Sequence, residues 1–450
     1  MYRDLTKGSI SKGLVLFALP MIAGNLLQQL YNIADTLIVG QALGKNALAA
    51  VGSAYTLMTF LTSVFLGLSM GAGALFSIYL GRGDRQRLRS AVAHAGGLIL
   101  LVTAVLNGLV YAFVDPILTF LKVPEELLGG MRSYLLIIFA GLLATSVYNF
   151  FACLLRALGN SVAPLWFLGV SALLNIGLDL LFVLEFHWGI AGAAWATVLA
   201  QYVSGEGILV YCLIKCREFL PEKQHFRYEK SILQEIWDLS ALTCLQQSAM
   251  NFGILLIQRL GDRVELYAGH KKQALAAAVK IDTFAYLPVQ DFGNAFSTFA
   301  AQNYGAGNKK RLAQGLKTAT ILSCAFSLAI SALVWVFAPN LMGIFIKAEE
   351  TAVIASGVGY LRLEGAFYAL IGCLFLLYGF YRAVKKPGMS AVLTVISLGL
   401  RVVLAYALSP TLGENGIWMA IPIGWAAADV IGYGWYFLRK KALLPSPEGR

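Results

Sequence analysis

Four oxygen-bearing side chains lie deep inside long apolar segments of this chain: Asp35, Asn175, Asp179 and Thr197. Asn175 and Asp179 are four residues apart, so on a helix they share one face. A carboxylate among apolar residues is costly unless it meets a partner or water. Two carboxylates, an amide oxygen and a hydroxyl suit a hard cation such as Na⁺, and two neighbouring acids can equally share a proton. These residue types therefore indicate binding of a small cation.

A second set of charged residues occurs in the other half of the chain: Lys280, Asp282 and Glu364. Lys280 and Asp282 are two residues apart and do not face each other on a helix, so each needs another partner. Glu364 follows Arg362 closely. We interpret this set either as a second charged site or as a structural pairing of Arg362 with Glu364. Asp429 is a further candidate.

The composition places all these residues in a membrane. Of 450 residues, 58% are hydrophobic and 13% are charged, against about 25% charged in soluble domains. The net charge of +11 arises from Lys and Arg in the gaps between apolar runs, which is typical of membrane topology rather than of nucleic-acid binding. The sequence contains no catalytic arrangement and no nucleotide-binding loop. We therefore expect no enzyme activity, no cofactor and no metal other than a possible Na⁺.

Twelve apolar runs are long enough to span a bilayer. If the N-terminus is inside, most of the 35 Lys and Arg residues fall on that side, which predicts that both termini are cytoplasmic. The segment 259–272 departs from this pattern, and we interpret it as a solvated outer loop or as a shortening of the eighth span. The runs are 14–40, 48–80, 90–114, 133–157, 161–186, 189–214, 234–257, 273–303, 312–337, 351–381, 389–409 and 416–438.

An internal repeat divides these spans in two. The pattern Gly-x-Gly-polar-basic-polar-Arg-Leu at 81–88 recurs at 305–312, an offset of 224 residues. Arg156-Ala157 recurs at 382–383, and Gly189-x-x-Gly192 recurs at 413–416. The repeat predicts an N-lobe (1–214), a cytoplasmic inter-lobe loop (215–233) and a C-lobe (234–450). Six spans per lobe make the lobes parallel repeats, an arrangement found in some transporters. The predicted fold class is an all-α polytopic membrane protein.

Three motifs in this order, together with the two six-span lobes, give the chain a family resemblance: Leu19-Pro20, Arg156-Ala157-Leu158-Gly159-Asn160 and Gln302-Asn303-Tyr304-Gly305-Ala306-Gly307. It resembles bacterial MATE (multidrug and toxin extrusion) antiporters over nearly its whole length. The resemblance implies that Asp35, Asn175, Asp179 and Thr197 form an N-lobe cation site, and that Pro20 marks a bend in the first span. Some members also bind Na⁺ through acids in spans seven and ten, but span seven lacks the matching acid here.

The function implied is secondary active multidrug efflux by alternating access, with amphipathic or cationic compounds exchanged for Na⁺ or H⁺. We expect a monomer in the bacterial inner membrane, with lipid around it and no nucleic-acid partner. The drug is expected between the lobes, near Gln28, Tyr31, Asn32 and Gln290. One alternative is a lipid-linked saccharide flippase or polysaccharide exporter of the same superfamily. Another, from a different class, is a membrane-embedded enzyme or channel.

Overall fold

The computed structural model describes residues 3–120, 125–263, 270–347 and 349–444, and within these ranges it contains helices and no strands. Each predicted apolar run falls mainly on helical residues. A π-helical turn (Leu180–Glu185) begins directly after Asp179, and two 3₁₀ turns are formed by Arg217–Phe219 and Lys223–Phe226. The α-helices are α1 (Ile10–Arg82), α2 (Arg85–Phe120), α3 (Glu125–Ala140), α4 (Leu142–Ala157), α5 (Val162–Asp179), α6 (Gly189–Lys215), α7 (Lys230–Arg263), α8 (His270–Gly305), α9 (Lys309–Gly343), α10 (Thr351–Gly365), α11 (Tyr368–Ala383), α12 (Pro387–Leu412) and α13 (Glu414–Leu443).

Eight helical segments in the described part of the chain are long and apolar enough to cross a membrane. The long helix α1 supplies two of them, separated by a kink at Gly44. Two bent pairs, α3 with α4 and α10 with α11, pass the same test when each pair is taken together, as a broken span or a re-entrant loop, with bends of 41° and 50°. Helices α7 and α8 are also long, at 34 and 36 residues, but they are more polar. Several of their polar side chains are buried in the protein rather than exposed to lipid, as membrane burial requires.

The helices form two compact units. One is built mainly from Ala23–Cys244, and the other from Asp4–Ile22 together with Leu245–Arg450. Pro20 lies inside α1, two residues before the end of the segment that packs in the second unit. Its role as a hinge stays a prediction, and so do the lobe boundaries 1–214, 215–233 and 234–450. The segment 259–272 includes residues outside the described ranges.

The repeated sequence motifs form repeated backbone turns. Gly83 and Gly307 occupy the left-handed region, with φ of 74° and 72°, which glycine adopts without steric cost. In both turns the residue after the glycine donates a backbone hydrogen bond to the carbonyl of the residue five positions before it. The Asp84 amide donates to Tyr79, and the Asn308 amide donates to Asn303. The end of α4 and the end of α11 match in the same way: Gly159 and Lys385 both have positive φ. The internal repeat is therefore a repeat of conformation.

The motif Gln302-Asn303 and the nearby Arg311 bind the start of the chain within the second unit. The Leu5 amide donates to the Gln302 side chain at 3.2 Å, and the Asn303 side chain donates to the Leu5 carbonyl at 3.2 Å. The Arg311 guanidinium donates to the carbonyls of Leu5, Lys7 and Gly8. Part of a motif that carries the family resemblance thus helps to anchor the segment preceding α1.

Close helix contacts in the second unit depend on small residues. A Cβ atom added to Gly379 in α11 would lie 2.6 Å from the backbone oxygen of Gly293 in α8. Small residues allow such close backbone approach between helices in membranes. The pair α8–α11 therefore forms a rigid support for the side chains that these helices carry.

Candidate cation-binding site

The first unit brings Asp35 and Asp179 into direct contact. Asp35 lies in the first span of α1, and Asp179 is the last residue of α5 before the π-helical turn. Their carboxyl groups are within hydrogen-bonding reach of each other. Two ionised carboxylates carry only acceptors, so a hydrogen bond between them requires one shared proton. Without that proton, the same position holds two adjacent negative charges that a cation would stabilise.

Asn175 and Thr197 form the second pair of the site. The Asn175 side-chain amide donates to the Thr197 hydroxyl at 3.3 Å, and this hydroxyl donates to the Ala193 carbonyl at 3.1 Å. The bond orients Asn175 so that its side-chain oxygen remains as an acceptor. The four residues predicted from their depth in the membrane are thus placed by α1, α5 and α6 of one unit.

Four buried oxygen atoms here have no hydrogen-bond donor among the described residues: Asp35 Oδ1, Asn175 Oδ1, Asp179 Oδ1 and Asp179 Oδ2. Asp179 is fully buried and Asn175 is 2% exposed. Unsatisfied buried oxygens cost free energy unless a ligand, ion or proton meets them. Carboxylate and amide oxygens are the donors that hard cations prefer, so this set fits either Na⁺ or a proton.

The backbone next to Asp179 departs from regular α-helix. Residues Leu180–Glu185 form a π-helical turn that begins immediately after Asp179. Single π-helical turns inside α-helices often occur at functional sites, because the extra residue redirects a side chain. Sequence periodicity alone does not reveal this turn.

The residues predicted to contact a drug are all half-buried. Gln28, Tyr31 and Asn32 precede Asp35 on α1 at spacings of seven, four and three residues, which places them on its face of the helix. Gln290 belongs to α8 of the second unit. Their role in drug binding stays a prediction.

Two of the three charged residues predicted in the second unit lie at a cavity. Asp282 and Glu364 both line it, together with Arg401 from α12. Lys280 is exposed and does not belong to the lining. A structural pairing of Arg362 with Glu364 is wrong: Arg362 is exposed, its guanidinium lies 4.8 Å from the centre of the Trp335 ring, and Glu364 is buried. Residues two apart on a helix point in different directions.

Sequence reasoning overlooked Arg401 and Tyr368. Arg401 lies within the apolar run 389–409, where an arginine is by default a functional candidate, so a signal was present. Tyr368 donates a hydrogen bond of 2.6 Å to Asp282, and an isolated tyrosine carries no comparable sequence signal. Asp429 is also buried, and neither of its carboxylate oxygens has a hydrogen-bond partner among the described residues.

Comparison with known proteins identifies the family of this chain. The family model described as MatE matches residues 20–181 and 243–407. The chain belongs to the MatE family. A probable multidrug resistance protein of Bacillus subtilis, YpnP, is 31% identical over 437 residues, covering 96% of each chain. The probable multidrug resistance protein NorM of Thermotoga maritima is 26% identical, covering 94% of this chain and 90% of the relative.

The fold of the MatE chain is also that of a solved transporter. A multidrug resistance MATE family transporter in an outward-facing conformation superposes with a TM-score of 0.91 at 24% identity, over 98% of both chains. The predicted fold class, twelve transmembrane helices in two six-helix lobes, is confirmed. Membership in the MatE family also confirms that the protein is a multi-pass membrane transporter of small molecules rather than an enzyme.

Proposed function

We propose that this protein is a secondary active multidrug efflux antiporter, which exports amphipathic or cationic organic compounds in exchange for Na⁺ or H⁺. The observation that supports this function most directly is the contact between Asp35 and Asp179, with four buried oxygens that no described residue satisfies. An antiporter requires a site for the coupling cation and a gradient of that cation to drive transport. It does not require an ATP-binding motif. Two relatives are named as probable multidrug resistance proteins, and these names support the proposed substrate class.

The coupling would follow from competition for negative charge. When Asp35 and Asp179 hold no cation, their repulsion is largest, and entry of Na⁺ or a proton relieves it. A cationic substrate held near the same pair would compete with the coupling ion. If each ligand stabilises a different conformation, binding of one shifts the population away from the other. Asn175 and Thr197 would supply neutral oxygens to the coupling ion and help to orient it.

We also propose the setting in which this antiporter works. The distribution of Lys and Arg supports cytoplasmic termini in a bacterial inner membrane. Lipid would cover the large apolar side chains that are exposed on the helices, such as Trp166 and Leu173 on α5, which are 70% and 73% exposed. Each of the two charged sites is formed within one chain, which supports function as a monomer.

Efflux from vesicles under separately imposed gradients tests this proposal. Purified protein is reconstituted into liposomes, and export of a fluorescent cationic dye is followed under a Na⁺ gradient alone and under a pH gradient alone. We expect one of the two gradients to drive dye movement and the Asp35→Asn variant to abolish it. Dye movement that needs neither gradient, or transport of a lipid-linked saccharide in its place, would contradict the antiporter proposal.

A further inference from the structure

A cavity separate from the Asp35–Asp179 pair lies wholly within the second unit. It has a volume of about 220 Å³ and is lined from α7, α8, α10, α11, α12 and α13. An apolar cavity of about 150 Å³ accommodates benzene, so this one has room for a single aromatic ring with small polar substituents. No residue of the Asp35–Asp179 pair lines it.

Three polar atoms in the lining of this cavity are buried without a hydrogen-bond partner among the described residues. They are the acceptor Glu364 Oε1 and the donors Arg401 Nε and Trp418 Nε1. Glu364 is 1% exposed and Trp418 is 5% exposed. Glu364 and Arg401 carry opposite charges and attract each other across the cavity, yet among the described residues they form no direct ion pair with an N–O distance within 4.0 Å. Buried charges normally pair, because burial without a partner is costly.

The other acid of the cavity is already engaged. Asp282 accepts a hydrogen bond of 2.6 Å from the Tyr368 hydroxyl. Asp282 therefore does not need a ligand to satisfy its carboxylate. Three groups therefore remain to bind a ligand: the negatively charged acceptor Glu364, the positively charged donor Arg401 and the neutral donor Trp418.

The walls of the cavity are aromatic and held in place by ring contacts. Tyr360 and Trp418 pack edge to face, with ring centres 5.7 Å apart, and Tyr286 stacks on Phe375 at 6.4 Å. Aromatic walls favour flat apolar groups and also attract an ammonium group placed over a ring face. The walls thus match an aromatic ligand, and the unpartnered polar atoms match its charged groups.

We propose that this cavity binds an aromatic zwitterion, whose ammonium group pairs with Glu364 and whose carboxylate is held by Arg401 and Trp418. This inference rests on the proposed function, because it names a substrate class for the same transporter. A simple cation would pair with Glu364 but leave the donors of Arg401 and Trp418 without a partner. A simple anion would leave the Glu364 carboxylate unpaired. A ligand with both charges pairs with Glu364 and Arg401 and satisfies all three atoms together.

Equilibrium binding of matched probes tests the proposal. Isothermal titration of the purified protein in detergent compares L-phenylalanine, its methyl ester and N-acetylphenylalanine, which share one ring but are a zwitterion, a cation and an anion. Hydrogen bonds to charged groups are worth enough that each missing partner should cost about tenfold in affinity. We therefore expect phenylalanine to bind about tenfold more tightly than either derivative.

Variants then assign each end of the ligand. Arg401→Gln should lower the affinity for phenylalanine to that for the ester, and Glu364→Gln should lower it to that for the N-acetyl derivative. Trp418→Phe should weaken the two carboxylate-bearing probes several-fold and leave the ester unchanged. The matched control is Arg362→Gln, which removes an exposed arginine near Glu364 and should alter none of the affinities.

Two results would overturn the proposal. Equal binding of phenylalanine and its ester by the unmodified protein would show that no group of the cavity recognises the carboxylate. An unchanged preference in Arg401→Gln would show that Arg401 serves only as a counter-ion for the acids. The first comparison needs no variant, so a folding defect does not obscure it. Because binding is measured without a gradient, Asp35→Asn should retain the zwitterion preference, and failure of antiport is therefore distinguishable from failure of this inference.

Discussion

Replacing Asp35 or Asp179 by Asn removes one of two charges in contact while preserving side-chain shape. Two unit charges about 4 Å apart repel by about 4 kcal/mol at an effective dielectric constant of about 20. This repulsion favours uptake of a cation or proton, and losing it corresponds to roughly a thousandfold weaker binding. We therefore expect gradient-driven export in either single variant to fall to the rate of protein-free vesicles.

The double variant provides the sharper test. If Asp35 and Asp179 act as one unit, removing the second carboxylate after the first costs little more, so the double variant should match either single variant. The assay is dye efflux from liposomes with protein amounts matched by immunoblot. Asp115→Asn is the control, because Asp115 is exposed and its 2.8 Å ion pair with Arg132 lies outside the site.

Two outcomes would refute this reasoning. Normal export by both single variants would exclude the pair as the coupling site, and attention would move to the acids of the second unit. Partial defects that multiply in the double variant would show that the two carboxylates act independently. Neither outcome could be ascribed to loss of insertion if thermal unfolding and detergent gel filtration match those of the unmodified protein.

Three further predictions address coupling, topology and packing. Thr197→Ala should raise the ion concentration needed for half-maximal efflux by a few-fold without abolishing transport, because Thr197 supplies a neutral oxygen; an ion titration of efflux measures this. A cysteine introduced at Lys223 should be protected from an impermeant thiol reagent in intact cells, whereas one at Glu125 should react, and the reverse would overturn the topology. Gly379→Ala should lower stability by about 1–3 kcal/mol through overpacking, seen as a lower melting temperature, whereas Gly434→Ala, where a Cβ meets no atom within 4 Å, should leave it unchanged.

The common depth of the candidate cation-site residues was predictable from sequence because depth in a membrane follows from counting residues. Each helical residue advances 1.5 Å, and alternating spans assign each end of a helix to one side. Residue counting alone therefore places Asp35, Asp179 and Thr197 at one level of the bilayer. Their contacts depend on the rotation of each helix, which the apolar pattern does not determine in lipid, because a helix in a membrane is apolar on most of its faces.

The lining of the cavity in the second unit was only partly predictable from sequence, because it also depends on the rotation of each helix. Asp282 and Glu364 were recognised as charged residues inside spans, but their neighbours were not. Arg401 and Trp418 come from other helices and join Glu364 through packing between α10, α12 and α13. Sequence proximity offered Arg362 as one of two alternatives for Glu364, and the structure places Arg362 on Trp335 instead.

The anchoring of Leu5 by Arg311 has a consequence for biosynthesis. The two residues are 306 positions apart in the chain, so the segment around Leu5 cannot form these hydrogen bonds until Arg311 has been translated. At about 5–20 residues per second the delay is roughly 15–60 seconds. During that interval the segment before α1 lacks its native hydrogen bonds, and the nascent chain carries an unfinished second unit. The docking of the segment around Leu5 is therefore a late step in the assembly of the newly made protein.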